Sequence, residues 1–212
     1  MRLSEGEMLF INSVTKGRTP FGIICKYPEE SKMDEYKKEV VLSLRKKGIL
    51  DDEKKFTPKG IALLLLWEQY RNSERHMVLN HLMLSVSTKR RVICVAKMSD
   101  GYEVFSADSG IVMFALLKRH EFLRSQDTKC PIVLEKLLYE EWTESLGAYG
   151  DGLLITGIYR KNEPEREEVY CWRGETGYKY DLSGQFQRKI SARTVRMRLM
   201  SDLGLRREDI NG

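Results

Sequence analysis

The chain predicts an α+β fold: a central antiparallel sheet built from two quasi-two-fold related α-βββ-α units and flanked by helices. Three observations carry this. Helical three-to-four spacing and strand-like alternation occur in separate blocks rather than alternating one for one. A block of one helix, three strands and one helix occurs over residues 58–124 and again over 131–204. Each block has a tight glycine turn between its second and third strands, Asp100-Gly101 in the first and Glu175-Thr176-Gly177 in the second. The two blocks share pattern rather than letters. Three strands with two helices make a marginal core alone, so one domain over residues 1–212 is favoured, with the N-terminal strand and helix occupying 1–57.

Along the chain, residues 7–14 (Glu-Met-Leu-Phe-Ile-Asn-Ser-Val) are aromatic and β-branched enough for a short strand, with a helical turn as the alternative. A helix over 31–47 puts Met33, Tyr36, Val40, Val41 and Leu44 on one face and stops at Gly48. Thr57-Pro58 opens a second helix to about residue 75, because Thr caps and Pro fits the first helical position. Its centre, Ile61 to Trp67, is apolar nearly all round and should be buried on every side. Strands are expected over 76–87, 91–98 and 102–107, then a helix over 108–124 with Val112, Ala115, Leu116, Arg119 and Phe122 on one side. The second block starts with a helix over 131–146 carrying Leu134, Leu137, Leu138 and Trp142, followed by a turn at Gly150-Asp151-Gly152. Strands follow over 153–160, 168–173 and 178–182, with a polar loop around Pro164, and a last helix spans 191–203 with Val195, Leu199 and Leu203 at spacing four.

The 212 residues are 42% hydrophobic and 32% charged, the balance of a globular chain with a well-charged surface. The net charge of +5 is uneven. Residues 188–207 hold seven Lys or Arg and one acid, a local +6, and the remainder sums to −1. A uniformly basic, histone-like protein is excluded. No apolar run approaches the ~20 residues a membrane-spanning helix needs, and the N-terminus has no signal-peptide pattern. Cys25, Cys94, Cys130 and Cys171 are widely separated, with no zinc spacing. Reduced thiols in a cytoplasm fit that usage.

No motif for chemistry stands out. His76 and His81 are five apart and fall on opposite faces of a strand, and no further ligand joins them or His120. Walker, GxGxxG and GxSxG patterns are missing. The chain therefore reads as a non-enzyme with no cofactor. Two basic elements compete for a binding role. Residues 36–60, with Lys46-Lys47-Gly48-Ile49-Leu50 and Phe56-Thr57-Pro58-Lys59-Gly60, resemble pieces of winged-helix regulators and would make the chain a DNA-binding transcriptional regulator. Asp51, Asp52 and Glu53 interrupt that stretch and nearly cancel its charge. The last helix offers Arg193, Arg196 and Arg198 beside its apolar stripe, a docking surface for an acidic partner.

Taken in order, these elements resemble the EspG-like chaperones of type VII (ESX) secretion. The residues carrying the resemblance are Leu44-Arg45-Lys46-Lys47-Gly48-Ile49-Leu50-Asp51 closing the first helix, the apolar run from Pro58 to Trp67, the middle strand and Asp-Gly turn from Arg91 to Phe105, and the second α-βββ-α half. The resemblance implies a quasi-two-fold sheet between helical bundles. It also implies a cytoplasmic, non-enzymatic chaperone or adaptor. Such a protein binds a helical secretion substrate of WXG100 or LXG type, keeps it soluble and export-competent, and passes it to the secretion machinery. In the family, the loop between the first two strands of the first unit contributes to substrate binding. Here that loop is Ser87-Thr88-Lys89-Arg90, shorter than the family's, with residues 162–166 as its longer counterpart in the second unit.

Overall fold

The computed structural model describes residues 1–24, 29–86, 90–125, 134–146, 152–173 and 176–206. Strand β1 (Arg2–Leu3) leads directly into helix α1 (Glu5–Val14). The strand expected over 7–14 is thus a helix, and the reason is Ser4. Its hydroxyl accepts the Glu7 N–H at 3.2 Å, and the Glu7 carboxylate accepts the Ser4 N–H at 2.7 Å. This reciprocal capping box starts a helix whatever the β propensity of Phe10, Ile11 and Val14. A 3-10 turn (Glu30–Lys32) runs into α2 (Met33–Lys46), which stops where Gly48 takes φ 67°. Leu50 bridges Phe56, and Thr57 then caps α3 (Pro58–Asn72) through Gly60 N–H. Helix α3 buries Leu63, Trp67 and Tyr70 but leaves Ile61 49% and Leu65 54% exposed, so it has one buried face rather than all-round burial.

The strand expected over 76–87 is a hairpin, β2 (Arg75–Leu79) and β3 (Leu82–Val86). Asn80 turns it at φ 54°, a conformation its short amide side chain tolerates. β4 (Arg91–Met98) and β5 (Gly101–Asp108) follow as expected. Gly101 is required there: φ is 148°, and a Cβ would lie 2.1 Å from the Leu3 carbonyl, because β1 pairs antiparallel with β5. Helix α4 (Ser109–Arg119) ends earlier than expected at His120, whose backbone is extended, and a 3-10 turn (Glu121–Arg124) completes the segment.

Where one helix was expected over 131–146 there are β6 (Leu134–Lys136) and the short α5 (Tyr139–Ser145). Residues 131–133 lie outside the described residues, as does most of the expected turn at 150–152. β7 (Gly152–Arg160) and β8 (Glu163–Arg173) form a hairpin through Lys161 and Asn162, both at positive φ. The polar loop expected around Pro164 is therefore strand, and residues 162–166 are no long loop. Pro164 is accommodated by a register shift: Ile158 pairs Arg166 while Tyr159 pairs Pro164. β9 (Thr176–Asp181) and β10 (Phe186–Ile190) follow, joined by a turn in which Asp181 accepts N–H groups from Ser183 and Gly184. Helix α6 (Ala192–Asp202) is capped by Ser191.

The strands hydrogen-bond in the order β1-β5-β4-β3-β2-β7-β8-β9-β10-β6. In sequence the order helix, four strands, helix runs from α3 to α4 and again from α5 to α6. Four strands replace the expected three because the strand expected over 76–87 splits into β2 and β3 in the first block and β10 was not anticipated in the second. The contacts divide the chain into two compact units. The first unit comprises residues 1–73, 81–85 and 93–106, where Met8, Ile11, Leu44, Ile49 and Tyr102 are buried and Trp67 stacks on Tyr70. The second comprises residues 74–80, 86–92 and 107–212. There Trp142 stacks on Tyr180 at 4.4 Å beside Val169, and Val195 and Leu199 of α6 are buried.

Candidate partner-binding surface

In the second unit, Arg90 is exposed at φ 58° and its carbonyl accepts the Ser109 N–H at 2.8 Å. That bond fixes the end of the predicted binding loop to the start of α4. The helix is capped there by Asp108, whose carboxylate accepts the Gly110 N–H at 2.7 Å. Val112 and Met113 point inward, while Ile111 and Phe114 are 65% and 67% exposed on the outer face. Two large apolar side chains one turn apart, with Lys118 and Arg119 in the last turn, make an apolar face with a basic end. Ser87, Thr88 and Lys89 lie outside the described residues.

The three α6 arginines are placed differently from one another. Arg193 is exposed in the first turn. Arg196 donates to the carbonyls of Leu123 and Ser125, at 2.7 and 3.1 Å, and pins the 3-10 turn after α4. Arg198 lies 3.0 Å from Glu168, a carboxylate only 1% exposed in the middle of β8. Glu168 also meets Lys179 at 2.6 Å and Arg166 at 3.2 Å, and it accepts the Tyr170 hydroxyl at 2.6 Å. Burial, followed by the Glu168 charge, raises the Tyr170 phenol well above the ordinary tyrosine range. Asp202 at the end of α6 pairs with Arg166 and with Arg75. Burial outweighs both arginines and pushes its carboxyl upward. Two carboxylates and four cations thus fasten α6 to the sheet, and Arg198 is occupied within that network.

Some of the basic side chains of residues 36–60 are similarly engaged. Arg45 pairs with Asp52, Lys55 with Glu53, and Lys47 with Glu7. The segment comprises most of α2, its connection to α3 and the first residues of α3, and on α2 the exposed Lys37, Lys38 and Lys46 alternate with the exposed Asp34, Glu35 and Glu39. Cys94 and Cys171 are buried, and burial pushes both thiols up to about 12, far from a thiolate nucleophile at neutral pH. Among the described residues, no three His, Cys, Asp or Glu side chains converge on a metal position.

Residues 2–168 match the family described as "Domain of unknown function (DUF5081)". The chain belongs to that family. No curated protein matches it in sequence. Among solved structures, this DUF5081 chain is similar to the Mycobacterium tuberculosis type VII secretion system chaperone EspG5, solved in complex with a PE25-PPE41 dimer. The likeness covers 98% of this chain and 97% of EspG5, at a TM-score of 0.54 and 8% identity. It is a likeness of fold, and the DUF5081 chain has an EspG-like α+β fold with a large antiparallel sheet. No helix among its described residues is long and apolar enough to cross a membrane.

The exposed pair Ile111 and Phe114 was missed by sequence reasoning. Its signal was present: both fall outside the single apolar stripe assigned to α4, and a helix apolar on two faces has one to spare.

Proposed function

We propose that this protein is a cytoplasmic chaperone or adaptor of type VII secretion. It binds a helical secreted protein of WXG100 or LXG type, keeps it soluble and export-competent, and passes it to the secretion machinery. The observation that carries the reading is the fold likeness to EspG5, which spans nearly the whole of both chains. On this reading the protein performs no chemistry and works by covering apolar helix surface that would otherwise aggregate. The twice-occurring order of helix, four strands and helix supports an internal duplication of this chain.

The surface assigned to the substrate is the outer face of α4 with the adjoining loop: Ile111, Phe114, Arg90 and, with it, Ser87, Thr88 and Lys89. Arg193 at the exposed end of α6 joins the same proposal. A helical partner would lay an apolar stripe over Ile111 and Phe114 and meet Lys118 with an acidic residue.

The test is co-expression with small helical secreted candidates from the same genome, followed by size-exclusion chromatography. A stable stoichiometric complex is expected, and Ile111→Glu with Phe114→Glu should abolish it while leaving the circular dichroism unchanged. Recovery of no helical secreted protein, or capture indifferent to both substitutions, overturns the proposal.

A further inference from the structure

The first unit carries a separate cleft between α1 and α2. Leu9 and Phe10 of α1 and Met33, Tyr36, Val40 and Val41 of α2 line an apolar groove of about 350 Å³. Next to it is a cavity of about 470 Å³ of a different character, lined by Glu5, Glu39 and Asp100 together with serines. Gly6, Tyr36 and Val40 line both, so the two adjoin across Tyr36 as the two ends of one cleft between α1 and α2. The division depends on a missing side chain. A Cβ on Gly6 would lie 2.6 Å from the Tyr36 hydroxyl oxygen and 3.0 Å from Val40, so Gly6 lets α2 seat its tyrosine on the α1 backbone.

The charges give the cleft a polarity. Arg2 holds Asp100 at 2.5 Å. Glu5 and Glu39 are exposed and have no cation among the described residues. Lys37 stands on the apolar side. Glu5 precedes Leu9 and Phe10 by four and five residues, about 6–8 Å along the helix at 1.5 Å per residue. The same offset separates residues four or five apart on another helix.

We propose that this cleft docks an amphipathic helix of a partner protein. The docked helix carries apolar side chains in the groove and, about four residues beyond, a lysine or arginine between Glu5 and Glu39. A third helix laid along two others is an ordinary packing solution for a half-buried apolar cleft. The carboxylates select for a basic residue and against an acidic one. The site lies wholly in the first unit and does not depend on the chaperone reading of α4.

The test uses two alanine-based helical peptides with leucines at positions i−4 and i, one bearing lysine at i+4 and the other glutamate. Methyl resonances of the full chain report where each binds. The lysine peptide is expected to shift Leu9, Met33, Val40 and Val41 and to bind at least tenfold more tightly than the glutamate peptide. Glu5→Lys with Glu39→Lys should invert that order. Where the double reversal perturbs folding, Glu39→Gln alone should lower the preference. Equal binding of both peptides, shifts spread outside the cleft, or a self-associated dimer covering it overturns the proposal.

Discussion

Lys47 sets its ammonium 2.5 Å from the carboxylate of Glu7, forty residues earlier in the chain. Glu7 is fully buried, and the same carboxylate accepts the Ser4 N–H and the Ser43 hydroxyl, both at 2.7 Å. One side chain therefore caps α1 and ties it to α2. Glu7→Ala should cost about 2–3 kcal/mol, the worth of hydrogen bonds to a charged group, since the partly exposed Lys47 can rehydrate. Urea denaturation measures this. Ser43→Ala, which removes one of the three donors, should cost clearly less.

Glu168 sits among Lys179, Arg166 and Arg198. Glu168→Ala leaves the buried Lys179 with the more distant, partly exposed Asp181 at 3.8 Å as its counter-ion and should cost about 3–5 kcal/mol. Glu168→Leu with Lys179→Met should recover much of that loss, because an apolar pair of similar volume replaces a desolvated ion pair. Arg198→Glu should destabilise sharply, and more than Arg193→Glu on the exposed first turn. Thermal melts of the four variants check the order.

His120 is buried beside Trp172 at 5.1 Å, its Nε2 without a hydrogen-bond partner among the described residues. Burial first, and then the neighbouring Arg119 charge, lowers its pKa. The unfolded chain therefore takes up a proton near the ordinary histidine value of about 6.5, where the folded chain does not. Stability should fall as pH drops below about 6.5 and level off once the folded-state value is passed. His120→Gln should flatten that part of a denaturation-versus-pH curve.

Gly101→Ala should detach β1. Its φ of 148° and the 2.1 Å approach to the Leu3 carbonyl leave no room for a methyl group. A loss of about 1–3 kcal/mol is expected from the backbone conformation alone. Hydrogen exchange at the Leu3 and Val104 amides, compared with the α3 amides, should rise selectively.

What was legible in the sequence follows the strength of local signals. Thr57-Pro58, Asp100-Gly101 and the apolar spacing of Val195, Leu199 and Leu203 each carry their own start, turn or face, and α3, the β4–β5 hairpin and α6 lie where expected. The misreadings fall where a tertiary pairing or a single turn residue decides. Leu134 to Lys136 has helical spacing but is drawn into a strand by β10. Asn80 and the Lys161-Asn162 pair turn the chain without glycine or proline, so one strand became two and a presumed loop became a hairpin. The Ser4 and Glu7 box was a readable signal passed over in favour of β propensity. At the candidate site, the charge of α6 was visible, but not that Arg196 and Arg198 face inward, because their partners Leu123, Ser125 and Glu168 are distant in the chain.

The buried thiols of Cys94 and Cys171 give each unit its own clock. Cys94 belongs to the first unit and Cys171 to the second, and a thiol held near a pKa of 12 inside a packed strand is inert to alkylating reagents until that strand opens. Iodoacetamide labelling resolved by peptide mass, which separates these sites from Cys25 and Cys130, would time the opening of each half in one sample. Added partner should slow the label at Cys171 if it clamps the second unit, and at Cys94 if it clamps the first.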